Sequence, residues 1–307
     1  MKVLVLGAGG VGGYFGGRLA VAGHDVAMVA RGPHLAALQE HGLRLRSVRG
    51  DVDVRLPVAE DPAVFGPVEV VLFCVKAYDT ASAAAGLTPV LGPETAVVSL
   101  QNGVDNEDLI ATVVGPGHVV GGAACIFSTI TEPGVVTHTG GPARIVFGER
   151  DDRRTERVEQ LLAACLDAGI DADIAPDISA VLWTKFAFIC ATAGMTASVR
   201  LPLGEVRDSP PAWAMFRQIV TEVVDLARLE GVALRDGVVE QQVGFAAALP
   251  AESYSSLHHD LMTGRRMELD ALHGSVVRRA ERYGLPVPAC AAIEAILSPW
   301  ARRNVGA

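Results

Sequence analysis

The sequence predicts an α/β domain followed by an all-helical domain, on three observations. The chain opens with a short apolar run, Val3–Leu6, followed by glycines 7, 9 and 12 and a helix-forming stretch. Apolar strand-like runs alternate with helical segments as far as Pro176. Beyond that point the strand signals cease and long helical patterns take over. The expected domains are residues 1–176 and 177–307.

Composition narrows the function classes. A chain of 307 residues accommodates two domains with sizeable cores. A net charge of −9 gives no bulk attraction for nucleic acid, so none is expected as a partner. The five cysteines are scattered and odd in number, without metal-ligand spacing, so no metal is expected. Four of them lie in apolar surroundings and read as core residues in a reducing compartment. Val3–Leu6 is too short for a signal-peptide core. No stretch of about 18 uncharged apolar residues suggests a membrane span. A cytoplasmic protein without a membrane partner is the expectation.

Taken in order, Val3–Leu6 reads as a buried parallel strand. The following Gly7-Ala-Gly-Gly-Val-Gly12 has G-x-G-x-x-G spacing between that strand and a helix ending at Gly23. This is the signature of a Rossmann-type dinucleotide site. Gly7 permits the tight turn, Gly9 admits the pyrophosphate to the backbone, and Gly12 lets helix and strand pack closely. The stretch Gly7, Gly9, Gly10, Val11 and Gly12 is the candidate cofactor cradle, with N–H groups at the helix start facing the anion. His24 to Arg31 gives the second strand. An NAD-selective site usually has Asp or Glu at its end, whereas Ala30-Arg31 supplies a cation suited to a 2′-phosphate. NADP is therefore the expected cofactor, the alternative for Arg31 being a solvated loop residue.

Residues 43–48 and 53–58 alternate around Arg49-Gly50-Asp51 as a hairpin. Val68–Val75 and Thr95–Leu100 are further buried strands, ending in Lys76 and in Gln101-Asn102-Gly103. Ligands of open α/β sheets sit at the carboxyl ends of strands, which makes Lys76 and Asn102 candidates beside their capping and turn roles. Val119–Phe127 and Arg144–Phe147 flank a Pro-Gly turn, and helix 156–168 and strand 170–174 complete the domain.

In the second domain, Ile178–Val199 is apolar almost all round and should be buried on most sides. Lys185 lies in its middle. Burying an ammonium is costly unless it is paired, and burial lowers its pKa towards a range useful for proton transfer. The alternative is a lysine that snorkels outward. Further helices are expected at 209–230, 235–249, 264–283 and 288–302. Glu268 shares four-residue spacing with Leu272 and Val276 on the expected 264–283 helix. It is a candidate partner for a buried cation, the alternative being a surface pair with Arg265 or Arg266. Ser255-Ser256 precede that helix and can bind a small anion or cap a helix.

Gly7–Gly12, Lys76, Gln101-Asn102-Gly103, Trp183-Thr-Lys185, Ser255-Ser256 and Glu268 occur in an order that resembles ketopantoate reductase over nearly the whole chain. The resemblance implies NADPH-dependent reduction of a 2-oxoacid to a 2-hydroxy acid. By it, Lys185 is the proton donor and Glu268 a second active-site group that, with Lys76, contacts the cofactor. Asn102 touches cofactor and substrate, and Ser256 binds substrate. The family's well-studied form has asparagines four, eight and eighteen residues after the lysine. Here those positions are Ile189, Ala193 and Leu203, so three polar contacts are apolar. Arg200 is a cation near this region, expected either to take the substrate carboxylate or to sit as a charge at a helix C-terminus. The alternatives are a related dehydrogenase acting on a different hydroxy acid or imine, and a non-catalytic NADPH-binding sensor. An apolar helical domain is also compatible with a homodimer.

Overall fold

The computed structural model describes residues 1–305. The chain divides into two compact units: Met1–Gln101 with Asn106–Ile178, and Asn102–Asp105 with the chain from Ser179 on. The short segment that leaves the sheet after Gln101 thus clusters with the helices.

The first unit is built on ten strands: β1 (Lys2–Leu6), β2 (Asp25–Val29), β3 (Leu43–Ser47), β4 (Val52–Val54), β5 (Val58–Ala59), β6 (Val68–Phe73), β7 (Leu91–Ser99), β8 (Val119–Glu132), β9 (Val135–Glu149) and β10 (Asp171–Ile174). Their order is β4-β3-β9-β8-β7-β6-β1-β2-β5, with β10 pairing β9. The pairs β2–β1, β1–β6, β6–β7 and β7–β8 are parallel, as a doubly wound fold requires. Strands β1, β6 and β7 are buried on both faces. Val3, Val5, Val70, Leu72 and Val98 feed one core, and Leu4, Leu6, Val71, Phe73 and Val97 the other. This two-sided burial explains why they read as continuous apolar runs. The strand order reverses between β1 and β6, and their carboxyl ends carry the glycine turn and Lys76.

The helices of this unit are α1 (Gly10–Val21), α2 (Gly32–His41), α3 (Thr80–Ala85), α4 (Asn106–Val114) and α5 (Glu156–Asp167). Helix α2 was not expected; it has Pro33 in its first turn and Arg31 at its N-cap position. Strands β8 and β9 also run further than expected. They meet at Pro133-Gly134, with Gly134 at φ +78°, and form a long antiparallel hairpin with register shifts near Cys125, Phe127 and Ile130. Those irregularities and Gly140-Gly141 interrupt the period-two pattern from which strand length is read.

The second unit contains α6 (Ile178–Val199), α7 (Leu203–Asp208), α8 (Pro210–Leu229), α9 (Val238–Ala247), α10 (Ser256–Met262), α11 (Ser275–Tyr283) and α12 (Pro288–Arg303). By length and composition alone α6 is apolar enough to cross a membrane, but 56% of its most apolar window is buried inside the protein. Buried Glu222 of α8 accepts the N–H groups of Ala289 and Cys290, both at 2.9 Å, and so caps α12. The helix expected over 264–283 begins later. Gly264, at φ +69°, closes α10, and residues 265–268 are not helical. A π-helical turn, Asp270–Gly274, then leads into α11.

Candidate functional site

In the first unit each glycine of the turn has its own surroundings. Gly7 adopts φ +103°, and a Cβ there would lie 2.9 Å from Val75 N, so the turn also passes close to the end of β6. A Cβ on Gly12 would lie 2.2 Å from Gly7 O and 2.7 Å from Val5 Cγ1, which is the close helix–strand packing expected. At Gly10 it would meet Ser128 O at 2.3 Å, so this glycine also seats α1 against β8. Only above Gly9, the N-cap of α1, does nothing lie within 4 Å of the Cβ position among these four. A crowded turn with one open position at a helix N-terminus suits a dinucleotide pyrophosphate. Val11, in the first turn, is half-buried against the core.

Arg31 is exposed and forms an ion pair with Asp79, a partner the sequence reading did not anticipate. Lys76 is half-buried at the end of β6, preceding a 3₁₀ turn over Ala77–Asp79. Side chains missed in the sequence hold that turn. Gln101 Nε2 donates to Val75 O at 2.9 Å and to Thr80 Oγ1 at 2.8 Å. Thr80 Oγ1 in turn lies 2.8 Å from Ala77 O and 3.1 Å from Asn106 Oδ1. Gln101 was visible only as part of the Gln-Asn-Gly motif.

In the second unit Lys185 is half-buried on α6 rather than fully enclosed, with buried Trp183 and Phe186 beside it. Asn102 is half-buried in a segment whose Gly103 adopts φ +110°. One guanidinium joins these neighbourhoods. Arg279 of α11 bonds Asp105 through Nε at 2.8 Å and Nη2 at 2.5 Å, and Val104 O at 3.4 Å. It also pairs with Glu230 at 3.0 Å and lies 5.7 Å from the centre of the Trp183 ring. Asn102 is three residues from Asp105, and Lys185 two from Trp183. Nothing local marks Arg279 in the sequence.

Ser255 is the N-cap of α10, accepting from His258 N at 3.0 Å. Thr196 Oγ1 donates to Thr192 O, so Ser255 Oγ donates to Thr196 Oγ1 at 2.8 Å. Ser256, one residue on, is exposed. Glu268 is 7% exposed and lies in the non-helical approach to the π turn, not on a helix face as expected. Arg200 departs further from expectation. It ends α6 in the left-handed conformation at φ +57°, and its guanidinium lies 4.4 Å from the centre of the Trp300 ring. It lies fifteen positions beyond Lys185, just past the end of α6, ~22 Å along the axis at the α-helical rise. In a 2-oxoacid the carboxylate is bonded directly to the ketone carbon, so Arg200 cannot hold the one while Lys185 serves the other. Of the three apolar departures, Ala193 and Leu203 are core residues at 2% and 0% exposure, and Ile189 is half-buried against that core. Among the described residues no cluster of His, Cys, Asp or Glu could hold a metal ion.

The family profiles for ketopantoate reductase PanE/ApbA and for its C-terminal domain match residues 3–152 and 177–300. The chain belongs to the ketopantoate reductase family. A 2-dehydropantoate 2-reductase of Halobacterium salinarum is 35% identical, over 94% of this chain and 95% of that protein. An uncharacterized oxidoreductase of Bacillus subtilis is 30% identical, over 98% of this chain and 99% of that one. Among solved structures, a PanE/ApbA family ketopantoate reductase from Ralstonia eutropha JMP134 gives a TM-score of 0.91 at 34% identity, covering 99% of this chain and 100% of that one. A D-mandelate dehydrogenase solved with NADH and anilino(oxo)acetate, at 22% identity and TM-score 0.91, shares the fold. The protein is thus an oxidoreductase of a family that reduces 2-oxoacids with NAD(P)H.

Proposed function

We propose that the protein reduces a 2-oxoacid with NADPH, ketopantoate to pantoate being the reaction of its named relatives, with Lys185 as proton donor. The observation that carries this reading is a half-buried lysine, the one charged residue of the long, largely apolar helix α6. Bound NADPH supplies the hydride. The N–H groups of Gly9, Gly10, Val11 and Gly12 bind the pyrophosphate at the start of α1. Arg31 exchanges Asp79 for the 2′-phosphate. The exposed ion pair it gives up is worth little in water. Lys76 and Glu268 contact the cofactor, Asn102 contacts cofactor and substrate, and Ser256 binds substrate. Lys185 Nζ donates a hydrogen bond to the ketone oxygen and stabilises the negative charge that develops there. It passes that oxygen a proton, and the neutral amine regains one from water.

A second reading, a different 2-oxoacid as substrate, is favoured by Ile189, one turn beyond Lys185, where the resemblance calls for an asparagine. Turnover of ketopantoate, pyruvate, 2-oxoisovalerate and phenylglyoxylate, followed by loss of the reduced nicotinamide absorbance, separates the two. Lys185→Ala should lower kcat for the best substrate by about 10²–10⁴-fold while NADPH still binds. Turnover retained in that variant would remove Lys185 from the chemistry.

A further inference from the structure

We infer that His34 is a positioning residue of the dinucleotide site, fixing the direction in which the glycine turn presents its N–H groups. The inference rests on reading Gly7–Gly12 as the pyrophosphate site.

The His34 imidazole lies between two stretches of backbone. Its Nε2 is 2.8 Å from Ala8 O, inside the glycine turn, and its Nδ1 is 3.0 Å from the N–H of Gly134, at the tip of the β8–β9 hairpin. A backbone N–H can only donate, so Nδ1 accepts. Nε2 therefore carries the proton and donates to the Ala8 carbonyl. Its neighbours decide the tautomer. Burial holds this imidazole below its ordinary 6.5, against the opposing pull of Ala8 O, which favours the neutral form that the two bonds require.

The consequence lies one residue on. Ala8 is tied on both sides: its N–H donates to Val29 O at 3.0 Å, and its carbonyl accepts from His34. No peptide bond among the described residues is cis, so in the planar Ala8–Gly9 peptide the Gly9 N–H points opposite to the Ala8 carbonyl, away from His34. Gly9 is the N-cap of α1 and the position of the turn with open space above it. Its own carbonyl is engaged by Gly13 N at 2.7 Å. His34 thereby sets the aim of the first donor that the turn offers an anion. It sits on the first turn of α2, three residues after Arg31, so the residue proposed to meet the 2′-phosphate and the residue that orients the glycine turn both stand at the start of this helix.

Glutamine is the informative replacement, because its terminal amide offers a donor and an acceptor together, as the neutral imidazole does. The test is titration of the full-length wild type, His34→Ala, His34→Gln and Arg31→Ala with NADPH and with NADH, read by reduced-nicotinamide fluorescence. His34→Ala should weaken both cofactors on the order of tenfold, since it leaves the Ala8 carbonyl without its donor. His34→Gln should restore most of that loss for both. Arg31→Ala should weaken NADPH alone. Wild-type affinity in His34→Ala would overturn the inference. So would equal weakening by Ala and Gln in proteins that melt with the wild type. If the wild type binds neither cofactor, the pyrophosphate reading itself fails and takes this role with it.

Discussion

Acid should destabilise the helical unit through one residue, His273. This histidine lies in the π turn before α11, is 0% exposed, and neither ring nitrogen has a hydrogen-bond partner. It faces α6, where a Cβ on Gly194 would lie 2.5 Å from its Nε2, and it approaches the Cys190 backbone without reaching hydrogen-bond geometry. Burial pushes its pKa from 6.5 down to about 4, the larger effect, with the Cys190 backbone opposing it. The sign follows from linkage. Above pH 6.5 the ring is neutral in both folded and unfolded chains, and stability is unaffected. As pH falls from 6.5 to about 4, the unfolded chain takes up a proton that the native core refuses, so native stability falls. At about 1.4 kcal/mol for each pH unit, the loss reaches roughly 3 kcal/mol by pH 4. That is a substantial part of the ~5–15 kcal/mol typical of a folded protein. It corresponds to a fall in Tm on the order of 10 °C. Thermal melts of the wild type and His273→Asn across this range isolate the effect, because the asparagine does not titrate. The variant should lose most of the acid-dependent decline, whatever its stability at neutral pH. Parallel wild-type and variant curves would show that His273 titrates normally and would refute the argument.

Glu107 should act in the opposite sense in the sheet unit. Burial at the start of α4 raises its carboxyl from 4.5 to about 7, so its contribution to stability is complete below pH 4.5 and lost as pH rises through 7. Glu107→Gln should therefore raise the melting temperature relative to wild type at pH 8 and narrow that difference at pH 4.5; a constant difference would count against the shift. Arg279 should govern turnover through the Asn102 segment. Lysine preserves its charge but not its planar fork, so Arg279→Lys should lower kcat about tenfold with NADPH affinity unchanged. Asp105→Asn should do the same, and the double variant should be little worse than either. Steady-state kinetics check this; a fall in Tm with kcat untouched would make Arg279 a structural residue only.

Much of the frame was legible because it rests on local physics. Buried parallel strands must be apolar on both faces, so β1, β6 and β7 stand out as runs. A glycine turn between strand and helix is marked by residues that a side chain would obstruct, and Gly7 and Gly12 are each so constrained. Strand ends follow from strand extents, so Lys76 and Asn102 stand out as residues that follow apolar runs. Helix α6 was visible as an apolar stretch with one lysine. Less was legible where polar or glycine-rich residues interrupt a pattern, as in the β8–β9 hairpin and the approach to α11.

By itself, then, the sequence determined the fold class, the glycine turn between strand and helix, and the family to which the chain belongs. Only the tertiary structure decided what surrounds those features. His34 meets Ala8 across 26 positions and Gly134 across 100, and Arg279 meets Asp105 across 174. It removed Arg200 from the neighbourhood of Lys185 and placed Ala193 and Leu203 in the core. The physical reason is common to all of these. Periodicity and turn chemistry express interactions within a few residues, whereas the partner of a charged or polar side chain is chosen by which elements the fold brings together.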